Sequence, residues 1–155
     1  MATPTPDDPV SAIMSTKIVT AKKTDKMSAV LRAMVKSKVG SVVVVDKGKP
    51  IGIITERDIT TMVAKGRNVR SMIAQKVMSK PPVTIPRSEE VSDAVVAMLR
   101  KDIRRLPVME GEKLVGMVTE RDIMHWLVKV AYAPNVPEDL AKLLEIRAQA
   151  HTIPA

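Results

Sequence analysis

Four stretches of this chain occur twice, always 64 residues apart. Met14-Ser15 returns as Met78-Ser79, Val19-Thr20 as Val83-Thr84, and Ala33-Met34 as Ala97-Met98. The longest, Gly52-Ile53-Ile54-Thr55-Glu56-Arg57-Asp58-Ile59, returns as Gly116-Met117-Val118-Thr119-Glu120-Arg121-Asp122-Ile123, and no gap is needed to align them. Two units cannot make a solenoid, which buries its faces by stacking at least about three. They predict a pseudo-two-fold pair. Each half of roughly 60 residues would be marginal alone, so the halves must pack on each other.

Both repeats read alike. A short entry helix (Ser11 to Met14; Met72 to Met78) leads to a brief extended stretch ending Val-Thr, and Thr24 and Ser88 are candidate N-caps. Met27, Val30, Leu31, Met34 and Val35 then recur at the spacing of an amphipathic helix, as do Val91, Ala94, Val95, Met98 and Leu99. Cations close both helices (Lys36 and Lys38; Arg100 and Lys101), which suits the negative end of the dipole. A β-branched run, Ser41 to Asp46, turns through Lys47-Gly48-Lys49 into a strand from Ile51 to Ile54. Leu106 to Met109, a turn over Glu110 to Lys113, and Leu114 to Val118 repeat that hairpin. A last helix opens at Thr55 or Thr119 and runs to about Lys65 or Lys129. The expected fold class is α/β (α+β), with two β-α-β-β-α repeats over residues 11–66 and 67–130 joined by the short link Gly66 to Val69. Residues 1–10, with three Pro, are expected to be a disordered tail. Residues 131–155 are expected to form a helical extension, with Leu140, Leu143, Leu144 and Ile146 on one side. That face either closes the core or meets a partner.

Composition narrows the chemistry. There is no Cys, which removes disulfides, Cys-based zinc sites and thiol nucleophiles and makes a reducing compartment the default. With only His125 and His151, multi-His metal sites are excluded and a Ser-His-Asp triad is improbable. Trp126 and Tyr132 are the whole aromatic content, too little for the stacking platforms of single-strand binders. The N-terminus lacks a signal-peptide pattern and no apolar run reaches a membrane span, so a soluble cytoplasmic protein is expected. The net charge of +8 is uneven: residues 13–76 hold 14 basic and 4 acidic side chains, residues 77–129 hold 9 and 8. Such a bias marks either a phosphate-rich partner or a solvated lysine face.

The repeated Gly-h-h-Thr-Glu-Arg-Asp-Ile segment falls where a strand becomes a helix, and there free amides and the dipole favour an anion. Thr55 and Thr119 would set a hydroxyl beside a phosphate, and Arg57 and Arg121 could add charge-assisted contacts. Asp58 and Asp122, acceptor-only when ionised, suit a ribose diol offering two O–H donors. Gly52 and Gly116 would allow close backbone approach. Thr-x-x-Asp is equally a capping box, in which the same pair satisfies the helix's own first amides. Both readings stand on the motif itself; its occurrence in both halves favours a ligand. His125 and Trp126 read as packing or surface, Glu56 and Glu120 as solvent-facing, and no nucleophile has a base beside it, so no catalytic residue is assigned.

Over residues 11–130 the chain resembles a tandem pair of CBS domains, the regulatory repeat named after cystathionine β-synthase. The carriers are Ile13-Met14-Ser15 and Val77-Met78-Ser79, the Val-Thr stretches, Arg105-Leu106-Pro107-Val108, and the two Gly-h-h-Thr-x-x-Asp segments. The resemblance implies repeats packed through their sheets, with adenosine-containing ligands in two clefts. It places phosphate at Thr55 and Thr119, ribose at Asp58 and Asp122, and adenine near Thr20, Val42, Thr84 and Pro107. Basic residues at the start of the second strand help bind phosphate in related members; here the second repeat supplies Arg104 and Arg105 where the first has Gly40 and Ser41, so the clefts are expected to differ. The expected function is a non-enzymatic sensor of AMP, ADP or ATP, acting in trans on an unidentified regulated protein and pairing as a homodimer. S-adenosylmethionine or a cyclic dinucleotide is a less favoured ligand, no metal is called for, and the alternatives are a basic nucleic-acid-associated protein or a ligand-free dimerisation module.

Overall fold

The computed structural model describes residues 4, 5, 7–132 and 142. Each half folds as a three-stranded sheet with helices on one face. In the first, β1 (Thr20–Lys22) precedes α1 (Met27–Ser37), β2 (Ser41–Asp46), β3 (Lys49–Thr55) and α2 (Glu56–Ala64). After a 3-10 turn at Val69–Ser71 and the single-turn α3 (Ala74–Val77), the second half follows: β4 (Ile85–Pro86), α4 (Val91–Lys101), β5 (Arg105–Glu110), β6 (Lys113–Thr119) and α5 (Glu120–Tyr132). Both sheets have chain order, with a parallel first pair and an antiparallel hairpin, and both slip register at matched places, Val44/Val45 and Val108/Met109. In the first hairpin Lys47 and Gly48 take φ of 49° and 80°, the left-handed pair that a two-residue turn needs to follow the strand twist.

Strand alternation decides what each sheet faces. Val42 and Val44 enter a core with Met27, Val30, Met34 and Ile54, while Leu106 and Val108 enter a second core with Val91, Ala94, Met98 and Trp126. Complete burial of a side chain such as Ile54 or Leu106 contributes about 1.5–3 kcal/mol. The intervening Val43 and Pro107 are also buried but belong to neither core, and they pair in register with Ile53 and Met117. These four residues occupy the opposite faces of the sheets, and β3 and β6 meet there.

The halves also exchange their entry segments. Val10, fully buried, packs in the second half's core, whereas Val69, Ala74 and Val77 pack in the first half's. Ser79 trades backbone hydrogen bonds with Ile53 of β3 (2.9 and 3.0 Å), and Ser15 does the same with Met117 of β6 (2.9 Å each). Gly52 and Gly116 are what permit this approach. A Cβ on Gly52 would stand 2.5 Å from the Met78 sulfur and 3.0 Å from the Ser79 carbonyl oxygen, and one on Gly116 would stand 2.5 Å from Met14 and 3.1 Å from Ser15. The close approach predicted at these glycines is therefore made by the protein's own other half.

Several local expectations are corrected. The tail expected over residues 1–10 is ordered at its end: Val91 N–H donates to the Asp8 carbonyl (2.9 Å) and Val10 N–H to that of Glu89 (2.7 Å). The long helices start two residues later than Thr24 and Ser88 suggest, with Lys26 and Glu90 as N-caps, and Glu90 forms a reciprocal box with Asp93. The first strands begin at Thr20 and Ile85 instead of ending at Val-Thr. The first entry helix is only a 3-10 turn, Val10–Ala12. The apolar stripes overrun the core, leaving Val35 and Leu99 79% and 77% exposed. Of the helical extension expected over residues 131–155, only residues 131, 132 and 142 lie among the described residues. Among the described residues, no helix is long and apolar enough to cross a membrane.

Candidate functional site

Each strand-to-helix junction builds a Thr–Asp pair. Thr55 ends β3 in extended conformation and caps α2, and its amide and hydroxyl both donate to Asp58 Oδ2 at 2.8 Å. The same hydroxyl oxygen accepts from the Asp58 amide at 3.4 Å. The second half repeats the geometry, with Thr119 donating to Asp122 Oδ2 at 2.8 and 2.6 Å and accepting from the Asp122 amide at 3.3 Å. The capping-box reading is thus realised in both halves. It occupies one carboxylate oxygen of each pair and leaves the other for different work.

That second oxygen distinguishes the halves. Asp58 Oδ1 accepts a hydrogen bond from Ser79 at 2.6 Å, a residue delivered by the exchanged entry segment. Asp122 Oδ1 has no corresponding donor among the described residues, since Ser15 instead accepts from the Lys17 amide at 3.2 Å. Both carboxylates remain half-buried and reachable. First-turn amides have no partner inside their own helix. The Glu56 amide donates to Gly40 O (3.2 Å) and the Glu120 amide to Arg104 O (2.9 Å), which leaves the amides of Arg57 and Arg121 between the tied ones.

The arginines do not divide as expected. Arg104 Nε is 3.9 Å from Glu120, the first residue of α5, whereas Arg105 Nη2 is 3.6 Å from Glu56, the first residue of α2. One arginine therefore serves each helix start, in place of both serving the second cleft. Gly40 makes this possible, because a Cβ there would overlap the Arg105 guanidinium. Arg57 is drawn to the C-cap of α4, donating to Asp102 O and Oδ2 at 3.1 and 3.2 Å. Its counterpart Arg121 is exposed and makes no such pair among the described residues, for Lys38 stands where Asp102 would be.

Of the residues expected near adenine, Pro107 is buried at the junction of the sheets and Thr20 is exposed at the start of β1, paired in register with Val43. Thr84 is exposed and lines a cavity of about 290 Å³ with Lys49, Pro50 and Met109, a lining that does not include Asp122. Val42 is corrected: its side chain lies in the first core, 1% exposed, so Ser41 and Val43 hold the facing positions. Ser79 and Ser15 carry no assignment in the sequence reading, although both belong to a repeated pair. Their roles depend on the exchange, which local pattern does not encode.

Comparison with known proteins agrees with this architecture. The family profile described as CBS domain matches residues 10–65 and 73–129. A Methanopyrus kandleri protein, MK0525, is 36% identical over 139 residues, covering 88% of this chain and 70% of its own. MJ1404 of Methanocaldococcus jannaschii is 29% identical over 153 residues, covering 90% of this chain and only 36% of that longer protein. The CBS domain-containing protein YhcV of Bacillus subtilis is 30% identical over 115 residues, 74% of this chain and 81% of that one. Among solved structures, the CBS domain pair of protein MJ0100 in complex with 5′-methylthioadenosine and S-adenosyl-L-methionine superposes with a TM-score of 0.72 at 26% identity, covering 79% of this chain and 97% of that one. A hexameric CBS-CP12 protein from bloom-forming cyanobacteria gives a TM-score of 0.73 at 24% identity, covering 94% and 86%. With both repeats matched, their sheets paired and their Thr–Asp junctions formed, the chain belongs to the CBS-domain family.

Proposed function

We propose that this protein is a non-enzymatic ligand-sensing module that takes an adenosine-containing ligand in one or both clefts between its repeats and acts in trans on a partner. The observation that carries the reading is Asp122: one carboxylate oxygen is fixed by Thr119, while the other has no donor among the described residues, and Arg121, its neighbour in sequence, is exposed. An acceptor-only group held this way suits a ribose diol, and the start of α5 with Arg104 and Arg121 suits phosphate. In the first cleft a ligand would have to displace Ser79 from Asp58, so the second cleft fills first. AMP, ADP or ATP uses both the diol and the arginines. The ligands of the MJ0100 pair make S-adenosylmethionine and methylthioadenosine the first comparators.

Self-association as a homodimer is part of the same reading. Val35 and Leu99 stand exposed at positions 64 residues apart, as do Val63 and Leu127, so the two halves present matched apolar side chains. A switch requires that the ligand bind two conformations unequally, and such a dimer offers a geometry to bias.

Calorimetry and thermal shift with AMP, ADP, ATP, S-adenosylmethionine, methylthioadenosine and a DNA duplex test the proposal, with Asp58→Ala and Asp122→Ala alongside. A ligand at one hundred times its Kd adds about 2.7 kcal/mol of stability. Adenine nucleotides should stabilise the parent, and Asp122→Ala should lose more binding than Asp58→Ala. No stabilisation by any adenosine compound at millimolar concentration defeats the proposal. Binding by both Asp variants equal to the parent defeats the site.

A further inference from the structure

A second site lies at the opposite end of α2 from Thr55 and Asp58. A cavity of about 640 Å³ is lined by the half-buried apolar side chains of Met62, Met72 and Ile73 and by Lys65, Arg67 and Lys76. No acidic side chain lines it, and these three cations make no ion pair among the described residues. The local sequence deepens the imbalance: between Asp58 and Glu89 there are six basic residues and no acidic one.

The other half shows what a closed version of this place looks like. Met62 and Met72 stand 64 residues from Trp126 and Asp8. There the indole is 7% exposed and its N–H donates to Asp8 Oδ2 at 3.0 Å, so the space is filled and its polar group satisfied. In the first half a smaller, flexible thioether replaces the indole, and a second one replaces the carboxylate. Arg67 and Lys76 stand where the second half has Ala131 and Ala12. The exchange of residue types opens the space and adds two of its three cations, since Lys65 is matched by Lys129.

We infer that this cavity binds a small organic anion, with a phosphate-type head held by Lys65, Arg67 and Lys76 and an apolar body against Met62, Met72 and Ile73. Its volume is within the range of about 300–1,000 Å³ usual for small-molecule sites, and its mixture of apolar wall and few convergent polar groups is typical of them. Methionine suits the apolar wall because its thioether adapts to the shape of the ligand. The site shares no lining residue with the Thr–Asp junctions, so it stands whether or not adenosine binds in the clefts.

The methionines allow the two kinds of site to be read separately in one experiment. Met62 and Met72 report the cavity, while Met14 and Met78, against Gly116 and Gly52, report the strands leading to Thr119 and Thr55. The full chain, labelled at its methionine methyls, is titrated by NMR with naphthyl phosphate, and in parallel with inorganic phosphate and with naphthol. Naphthyl phosphate should move Met62 and Met72 saturably and bind at least about tenfold tighter than either fragment. The Lys65→Ala/Lys76→Ala double variant, its unliganded spectrum confirming the fold, should weaken binding at least about tenfold, with Lys65→Arg/Lys76→Arg retaining it. No saturable movement, movement confined to Met14 and Met78, equal binding of inorganic phosphate, or indifference to loss of the two lysines overturns the inference.

Discussion

Val10 offers the sharpest test of the exchanged architecture. Nine residues from the start of the chain, beside Pro9, it stands where composition suggests a free tail, and yet it is fully buried against Ile85, Val91, Ala94 and Trp126. Val10→Ala removes two carbon groups from a closed site. Transfer alone costs about 1.6 kcal/mol, at ~0.8 kcal/mol per group. A cavity that fails to collapse raises the total to about 3 kcal/mol. For a chain of this size each kcal/mol lowers Tm by roughly 2–4 °C, so a fall of about 3–12 °C is expected. Calorimetric melting and urea titration measure it, with Val35→Ala as the exposed control, expected to stay within about 0.5 kcal/mol of the parent. If Val10→Ala melts with the parent and the control, Val10 is not in the second half's core, and the exchange is wrong on that side.

Three further outcomes follow from the same geometry. Gly116→Ala drives a methyl group into Met14 and the Ser15 carbonyl and should cost about 1–3 kcal/mol in urea titration, with Met14→Ala recovering only part, because the backbone contact persists. Asp122→Ala removes the reciprocal cap of α5 and should cost about 1 kcal/mol; equal stability of parent and variant would show that the cap contributes nothing. The Trp126 indole N–H holds the Asp8 carboxyl below its ordinary value. Because the folded value is depressed, this contribution is fully present above the unfolded carboxylate value near ~3.9 and is lost as pH falls through the lower folded value. Asp8→Asn should therefore flatten that part of the acid limb of Tm against pH, and an unchanged limb refutes the contact.

What could be read before folding was whatever depends on neighbours in the chain. The 64-residue recurrence, the hairpins with their turns, and the placement of Thr55 and Thr119 at strand-to-helix junctions are all local, and the structure has them. Val42 shows where that stops. A run of four valines carries no alternation, so nothing in it distinguishes the core-facing positions from the sheet-facing ones. The helix starts slipped from Thr24 and Ser88 because the chain is still extended at Lys26, where no side-chain cap forms, and at Glu90, which forms its box with Asp93. Val35 and Leu99 continue a helical stripe beyond what the core covers, and they stand exposed. Above all, Val10, Ser15, Val77 and Ser79 look the same in sequence whichever sheet receives them. Their destination is set by the meeting of two sheets far apart in the chain.

That trade of entry segments makes each half depend on the other. Cut between residues 66 and 67, the first piece would lose Val69, Ala74 and Val77 from its core, and the second would lose Val10. A lone repeat can complete itself only by borrowing from another copy. Carrying both units in one chain makes that exchange intramolecular, so it has no concentration dependence. It also lets the halves differ: Trp126 and Asp8 close one while Met62 and Met72 line the cavity of the other, and neither pair has to suit both halves.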